Sequence, residues 1–533
     1  MVSRLDFAAA VAITSVAALA ACGPHHDGNG GDGGGGTGDA LTLDAFAGPF
    51  PDFPVDPIID GSAPPTSGGL FGDPATGAQS GGPCLVEPEV GTLFPKNWLR
   101  PRFSWVASGT ENLFELRLTT PNEIHPLVVY TTATTWTMPA DLWATLSEHI
   151  IDQPITLTVR GATFDGATIG AGPELGSTGD IAIAPAEAPG AIVYWTTSGG
   201  TGLRGFHIGD ESVTDIVRPG PASTACVGCH SSTPDGKFIG FSASANAGNG
   251  DPATLELRSA DGTYASPSFI TASGQTLMSR IGQEAPQFSA NHWRDGDHTA
   301  LAMYKPATVA EIVWVDLEAA DVTSGTGIVA RTGDPHDAAS ASFAHTSDTI
   351  VYASGTSVGA GVTLTDGDLR TVPYNNRAGG TSVAIPGAST VEFNEFYPTF
   401  SPDDRYVAYN RVATGAGSYN DAASEVYVIP SGGDISTRLA ANTPPACSGK
   451  VSPGVTNSWP KWAPGTTDVG TRRFYWLTFS STRSAAGNPQ LYVTPIVEDH
   501  GALTTYPALY LWNQPVAENN HTPAWDNFDV PIQ

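Results

Sequence analysis

Residues 397–411, YPTFSPDDRYVAYNR, decide the fold, because their pattern returns along the second half of the chain. The pattern is a proline, any residue, an aromatic residue and a small residue, followed by a short run typical of a β-strand. It recurs in APQFSAN (285–291), WPKWAPG (459–465) and TPAWDN (522–527), in the weaker copy ASFAHTSD (341–348), and in HSSTPDG (230–236), where His230 aligns with the proline. The copies lie 55–63 residues apart, and such a period predicts a repeated structural unit.

The repeated unit is predicted to be a propeller blade. Each copy precedes a strand-like run, and in most copies a second run follows, such as EVYVIPS (425–431). Four short strands per unit are what a β-propeller needs. The last copy has room for one strand only, whereas residues 190–210 offer strands without the motif. We therefore predict an all-β protein with a six-bladed β-propeller over residues 187–533, whose sixth, composite blade combines strands from both ends of that segment and so leaves no open sheet edge.

Two of the copies resemble a known family. FSPDDRYVAYNR (400–411) and FSSTRSAAGNPQLYV (479–493) are similar to blades of the TolB-like, WD-repeat-related β-propellers. Those blades carry a Trp/Phe-Ser-Pro-Asp-Gly turn, a strand, a Gly-Asn-x-Gln loop and an Ile/Leu-Tyr-Val strand. The similarity covers roughly residues 190–530. It implies a propeller, and one implied role is a scaffold that binds a protein or peptide at the mouth of its channel.

A smaller β domain is predicted ahead of the propeller, over residues 84–186. LFELRLTT (113–120), PLVVYTT (126–132) and ITLTVRG (155–161) alternate apolar and polar residues, as half-buried strands do. Several short strands within about a hundred residues favour a β-sandwich of immunoglobulin or fibronectin type. No catalytic pattern lies in this segment, and a spacer or adhesion role follows.

The N-terminus is predicted to be a lipoprotein signal peptide, residues 1–22. The apolar run at 7–21 is too short to span a bilayer, and Leu19-Ala20-Ala21-Cys22 resembles a bacterial lipobox, in which Cys22 carries the lipid. An ordinary cleaved signal peptide is the alternative. Residues 23–83 are rich in Gly and Pro, which predicts a disordered tether. We therefore expect a lipid-anchored protein of the bacterial cell envelope, at the outer membrane and facing the periplasm or the cell surface.

Charge and cysteine count restrict the partners. A formal net charge of −29 and a pI near 4.5 argue against a nucleic-acid partner, because there is no excess of cations to neutralise phosphates. The chain has five cysteines. Cys84 and Cys447 could pair in an oxidising compartment, but connectivity does not follow from sequence, and the question stays open.

A haem attachment motif precedes the first strand of the first complete blade. Cys226-Val-Gly-Cys229-His230 has the C-x-x-C-H spacing of c-type cytochromes, in which the two thiols bind the haem vinyl groups and the histidine binds the iron. The alternatives are a disulfide or redox pair and a zinc half-site, although zinc needs further Cys or His ligands nearby. The motif predicts one covalent haem c at the mouth of the channel.

The distal ligand of the iron is expected from neighbouring loops. His521 lies just before the first strand of the composite blade, and Met278 lies in the equivalent loop of the second blade; His336 lies one blade further. We predict His521 as the ligand and Met278 as the second choice. An iron without a distal ligand would instead permit small-ligand or peroxide chemistry.

The function predicted from these features is electron transfer by a haem-carrying envelope lipoprotein. The sequence contains no Ser-His-Asp set, metalloprotease motif, phosphate-binding loop or dinucleotide-binding glycine run that we can assign, so no catalytic residue is predicted. The alternatives are the interaction scaffold without a redox role and a haem enzyme with an open iron site. The redox partner is not specified by the sequence.

Overall fold

The structure is a computed structural model that describes residues 48–531 apart from 199, 221–223, 245–252 and 359–362. The signal peptide, Cys22 and residues 23–47 of the predicted tether therefore lie outside the described residues. From residue 48 onward the chain forms one compact unit. The predicted all-β class is confirmed, because strands make up most of the regular structure and the helices are short.

The N-terminal module contains two sheets and two helices. The larger sheet has the strand order Ile58–Ile59, Leu127–Thr131, Leu113–Thr119, Ile155–Phe164, Ile169–Ile183 and Leu93–Phe94, and the smaller sheet has the order Cys84–Glu87, Arg102–Val106 and Thr135–Thr137. The helices span Ser67–Phe71 and Ala140–His149. The pairs at both edges of the larger sheet are parallel, and the other pairs are antiparallel.

The module begins earlier than predicted. Residues 48–83 were expected to be a disordered tether, but they contribute a strand and a helix, and Phe53 and Phe71 are fully buried. The prediction failed because a high Gly and Pro content does not exclude packing when large apolar side chains are interspersed. Phe53 joins the main apolar core of the module, and Phe71 packs against Tyr130 at 5.4 Å between ring centroids.

Six further sheets follow, which we call sheets I to VI. Sheet I has the order Thr214–Val217, Gly202–His207, Ala191–Thr196 and Asn520–Asp526; sheet II has Cys226–Ser232, Phe238–Ser244 and Thr254–Ser259; sheet III has Glu284–Phe288, Thr299–Tyr304, Glu311–Asp316 and Thr326–Ile328. All pairs within these sheets are antiparallel.

The remaining three sheets have the same arrangement. Sheet IV has the order Asp337–Phe343, Thr349–Gly355, Asp368–Pro373 and Val383–Ala384; sheet V has Phe393–Phe400, Tyr406–Ala413, Glu425–Pro430 and Thr437–Arg438; sheet VI has Ser458–Trp462, Arg472–Ser481, Gln490–Asp499 and Ala502–Thr505, with Thr467–Val469 and Leu509–Tyr510 at its margins. Two small two-stranded sheets are Ala330–Thr332 with Gly379–Thr381, and Ser357–Val358 with Thr363–Leu364. Short helices span Ala272–Met278, Ala290–Arg294, Ala440–Asn442 and Ala446–Ser448.

Each copy of the repeat lies on the first strand of a sheet, and these strands contact one another in chain order. In sheet I that strand is Asn520–Asp526, which contacts the first strands of both sheet II and sheet VI. A separate apolar cluster fills each space between successive sheets from I to VI. Burial of these side chains is the main stabilising contribution to the arrangement.

The N-terminal module covers the seam between sheets VI and I. One apolar core includes module residues together with Trp476 of sheet VI and Tyr194 of sheet I. Three indole N–H groups donate to backbone carbonyls across this seam: Trp476 to Glu187 at 3.0 Å, Trp525 to Pro189 at 2.7 Å, and Trp512 to Arg100 at 2.8 Å. The segment predicted as a separate sandwich is therefore joined to the sheets by a common core.

Cys84 and Cys447 form a disulfide, which resolves the pairing that the sequence left open. Their Cα atoms lie 6.0 Å apart, inside the usual range of about 4.4–6.8 Å. The bond ties the smaller sheet of the module to the loop that leads into sheet VI, across 363 residues. In the described part of the chain no helix is long and apolar enough to cross a membrane.

Loss of this disulfide is expected to destabilise the protein. Replacing both cysteines by serine should lower the free energy of unfolding by about 2–5 kcal/mol, because the unfolded chain regains the entropy of a very long loop. Urea denaturation with and without dithiothreitol measures the effect, and reductant should lower the stability of the wild type but not of the double variant. Equal stability of the reduced and oxidised wild type would contradict a structural role for the bond.

Candidate functional site

A β-bulge interrupts the first strand of every sheet at the same place. Two residues of the first strand lie opposite one residue of the second strand at 228–229, 285–286, 340–341, 397–398, 459–460 and 522–523. The first residue of the pair has a positive φ in five sheets, at Ala285, Ser340, Tyr397, Trp459 and Thr522. Such bulges redirect side chains, and here all six bulges turn residues toward a common axis. We call the space along this axis, which the first strands surround, the channel.

The bulge explains the proline of the repeat and corrects one alignment. The second residue of the pair is a proline in four sheets, and proline is tolerated at a bulge because its missing N–H costs no ladder hydrogen bond there. In sheet II that position belongs to Cys229, and His230 follows it, since His230 pairs with Phe241 just after the bulge. The sequence alignment, which put His230 in the proline position, was wrong by one residue.

Three cavities follow one another along the channel. The mouth cavity, about 540 Å³, lies where the first strands begin and is lined by Cys226 and His521 among others. The inner cavity, about 110 Å³, lies at the bulges and is lined by Cys229 and His230. The far cavity, about 410 Å³, lies where the first strands end, and His230 lines it too.

An aromatic cluster separates the mouth cavity from the inner cavity. Trp195 and Tyr419 line both cavities. His521 packs on Trp195 at 4.7 Å and on Trp459 at 5.1 Å between ring centroids, and Trp459 packs on Tyr419 at 5.9 Å and, stacked, on Tyr397 at 5.8 Å. These five side chains, Trp195, Tyr397, Tyr419, Trp459 and His521, form one continuous set of ring contacts across the channel.

His521 and Cys226 come together at the mouth cavity. His521 pairs with Trp195 across sheet I, and its side chain is almost fully buried. Its Nδ1 hydrogen-bonds the hydroxyl of Thr522 at 3.0 Å, whereas Nε2 makes no hydrogen bond among the described residues. Burial, and secondarily the neighbouring charge of His230, lowers the pKa of His521 to about 4. The imidazole is therefore neutral near pH 7, the state that binds a metal.

His230 does not reach the mouth cavity. It is buried, and its Nε2 hydrogen-bonds the backbone carbonyl of Val193 at 3.0 Å. Burial lowers the pKa of His230 to about 4, although the carbonyls of Val193 and Gly228 favour the protonated ring. The bond to Val193 occupies Nε2 and links sheet II to sheet I, whereas the buried Nδ1 of His230 has no hydrogen-bond partner among the described residues.

Cys229 faces the inner cavity among charged and phenolic groups. Both Cys226 and Cys229 are free thiols. Burial raises the pKa of the Cys229 thiol to about 11, with a further contribution from Glu284 and an opposing one from Lys461. Burial also raises the pKa of Glu284 to about 6 and lowers that of Lys461. Neither Glu284 nor Lys461 was identified from the sequence. Glu284 directly precedes the bulge of sheet III and Lys461 directly follows the bulge of sheet VI, so comparison of the residues around the proline of each repeat is the signal that could have found them.

The other predicted ligands lie elsewhere. Met278 ends a short helix and is buried in the apolar cluster between sheets II and III, with Leu255 and Trp293. His336 is exposed, with Nδ1 at 3.3 Å from a carboxylate oxygen of Asp334. Neither side chain lines the mouth or the inner cavity. Among the residues with described positions, no three His, Cys, Asp or Glu side chains are grouped as metal ligands.

The residues of the mouth cavity fit a covalent haem that has His521 as one of its axial ligands. Cys226 supplies a thiol, and His521 has one ring nitrogen held by Thr522, as metal-binding histidines commonly have. Cys229 opens to the other side of Trp195 and Tyr419, so two thioether bonds require those side chains to move apart and the two cavities to merge. His230 can serve as the second axial ligand through Nε2 only after that nitrogen releases the carbonyl of Val193, whereas its buried Nδ1 has no hydrogen-bond partner in the described part of the chain.

No protein-family model matches the chain, and no curated protein is similar to it. Among solved structures, a TolB-like protein from Agrobacterium tumefaciens is 12% identical over 62% of this chain and 96% of its own, with a TM-score of 0.33. A GH74 enzyme from Niastella koreensis is 12% identical over 58% of this chain and 44% of its own, with a TM-score of 0.32. A DUF4784 family protein from Bacteroides caccae is 8% identical over 84% and 98%, with a TM-score of 0.26. At these TM-scores the similarities carry no argument about the site.

The two motif thiols are expected to differ in reactivity. In haem-free protein at pH 8, iodoacetamide should modify Cys226 at least about 100-fold faster than Cys229, because only about one thiol in a thousand is ionised at a pKa of about 11. Mass spectrometry of tryptic peptides over time measures both rates. In the C226S variant the peptide that contains Cys229 should take up almost no label unless the protein is denatured, and equal rates at Cys226 and Cys229 in the wild type would contradict the raised pKa of Cys229.

His521 is expected to make folding sensitive to acid. A histidine whose pKa falls from 6.5 to about 4 on folding binds protons more readily in the unfolded chain, so stability declines as the pH falls from 6.5 toward 4. Between pH 7 and pH 5 the wild type should lose about 2 kcal/mol more unfolding free energy than H521Q, measured by urea denaturation. The difference between the two proteins removes the contributions of Glu284 and Asp526, and identical pH profiles would contradict a buried neutral imidazole.

Proposed function

We propose that this chain is a lipid-anchored electron carrier of the bacterial cell envelope, in which a six-bladed propeller holds one covalent haem c at the mouth of its channel. Sheets I to VI would be the six blades, and the pairing of Ala191–Thr196 with Asn520–Asp526 would be the closure. Anchoring through Cys22 follows from the lipobox pattern. The haem would join the chain through Cys226 and Cys229.

One observation carries this proposal: a thiol of the C-x-x-C-H motif and a histidine with a free Nε2 line the same cavity, although they are far apart in sequence. Cys226 and His521 come from opposite ends of the propeller segment. The cavity, about 540 Å³, lies within the roughly 300–1,000 Å³ of pockets that hold organic cofactors and ligands. Chance would rarely place a metal-binding side chain opposite this motif.

The protein's own groups would position and shield the iron. His521 is held by the hydroxyl of Thr522 and by a ring contact to Trp459, and both contacts can persist when Trp195 moves to admit the haem. Its low pKa keeps the ring neutral. A bound haem supplies one-electron transfer, at a potential set by the axial ligands and the burial of the site. The surrounding aromatic cluster excludes water from the inner side of the cavity.

An interaction scaffold without a redox role is the alternative, supported by the hydrogen bond of His230 to Val193. That bond gives the histidine of the motif a structural role that needs no haem. A haem enzyme with an open iron site is the third candidate, and it requires that His521 stay off the iron. The three functions differ in covalent haem content and in iron coordination.

Protein matured in a host with cytochrome c assembly should give a pyridine haemochrome spectrum of a covalent haem, one per chain, that C226A/C229A abolishes. With His521 and His230 as the two axial ligands, His230 having released the carbonyl of Val193, the reduced spectrum should be six-coordinate and indifferent to carbon monoxide. H521A should convert it to a form that binds carbon monoxide, because the axial nitrogen is gone. M278L is the matched control and should leave the spectrum unchanged, since Met278 lies in the apolar cluster.

The outcomes separate the candidates. Absence of covalent haem in correctly folded protein would leave only the scaffold. A wild-type haem that binds carbon monoxide would favour the enzyme over the electron carrier. A six-coordinate spectrum that survives in H521A would overturn His521 as the ligand while leaving the haem in place.

A further inference from the structure

A ring of polar side chains surrounds the channel at its far end. The residue directly after the bulge points into the far cavity in each of the six first strands, and these residues are His230, Gln287, Ser342, Thr399, Lys461 and Ala524. We call this set the polar ring. Five of its six members can donate a hydrogen bond. The far cavity measures about 410 Å³, enough for a small organic molecule.

Four members of the polar ring have no partner in the protein. The side chains of Gln287, Ser342, Thr399 and Lys461 make no hydrogen bond or ion pair with any described residue. Ser342 and Thr399 are only 7% and 6% exposed. Their hydroxyls open onto the cavity and are not committed to a protein partner among the described residues, so these converging donors are free to bind a ligand with acceptor atoms.

The charges around the far cavity favour an anion. The ammonium group of Lys461 and the guanidinium group of Arg294 both line the cavity; burial lowers the pKa of Lys461, and a bound anion would favour its protonated form. His345 lies there too, with Nδ1 at 3.4 Å from Asp404. One further acid, Asp526, lines the cavity, and burial raises its pKa to about 6. Acidic residues outnumber basic ones in this chain, whose formal net charge is −29, yet Lys461 makes no ion pair with any described acidic residue.

We propose that the far cavity binds a small carboxylate, whose oxygens accept hydrogen bonds from Lys461, Ser342, Thr399 and Gln287. One ammonium group balances one carboxylate charge, and the neutral donors complete the four or so lone-pair directions of the carboxylate. A phosphate dianion fits less well, because the ring offers one cation and Asp526 lies beside it. Hydrogen bonds to a charged group also compensate for the desolvation of Lys461.

This site shares only His230 with the haem attachment motif, and His230 is not among the four donors assigned to the carboxylate. The far cavity and the mouth cavity are separated by the aromatic cluster and the inner cavity. No member of the polar ring lines the mouth cavity. Carboxylate binding therefore does not depend on Cys226 or His521, and it can be tested in protein with or without haem.

The experiment is a titration of the full-length protein with acetate, propionate, malonate and succinate at constant ionic strength, with chloride as the reference anion. Trp462 and Trp525 line the far cavity, so intrinsic fluorescence is the readout. At least one carboxylate should give a saturable change that chloride does not give. K461M should weaken that binding more than about tenfold, because a hydrogen bond to a charged group and the charge itself are lost.

The control is K237M, which removes an exposed lysine outside the cavity and should bind as the wild type does. S342A and T399V should each weaken binding about tenfold; they test the site even if K461M fails to fold, which circular dichroism detects. No saturable change with any of the four carboxylates would overturn the proposal. So would equal affinity in the wild type and in folded K461M, or tighter binding of inorganic phosphate than of the carboxylates.

Discussion

The pairing of Ala191–Thr196 with Asn520–Asp526 is the interaction on which the rest of the structure depends. It joins strands more than 300 residues apart and places the last strand between sheets II and VI. Each backbone pair contributes modestly, but the pairing also brings two apolar cores into register, one between sheets I and II and one beneath the N-terminal module. The position of His521 beside Trp195 is a direct consequence of this register.

The repeated bulge converts a structural repeat into a site. A regular strand alternates its side chains between two faces. In sheets I to VI the bulge breaks this alternation at the same level of each first strand, and it turns residues of different types toward one axis. The sequence at those positions has diverged: a cysteine in one strand, prolines in others, and after them a histidine, a lysine, a glutamine or a hydroxyl. The same bulge thus places the thiol of Cys229 at the inner cavity, and the residues that follow it place the hydrogen-bond donors of the polar ring at the far cavity.

Much of this architecture follows from the sequence, because the repeat period reflects burial that recurs in each sheet. The alternation of residues 113–120 predicted a half-buried strand, but Leu113–Thr119 is buried on both faces over most of its length, and Glu115 is buried as the partner of Arg160. The positions that sequence could not supply depend on register or on distant contacts. Lys461 and Glu284 gain significance only when the bulges are superposed, and the one-residue shift of His230 has the same origin. Residues 48–83 looked like a tether because composition does not reveal that Phe53 and Phe71 find a core. Met278 occupied a suitable loop in the sequence, but its apolar side chain packs between two sheets.

The aromatic cluster gives the molecule two chemically insulated ends. Because Trp195, Tyr419, Trp459, Tyr397 and His521 are in continuous ring contact across the axis, a solute at one opening has no straight route to the other. A molecule bound at one end would then affect the opposite end only through its charge. Lys461 and Cys229 both line the inner cavity between the two ends, so the ionisation of these two groups is where that charge would act.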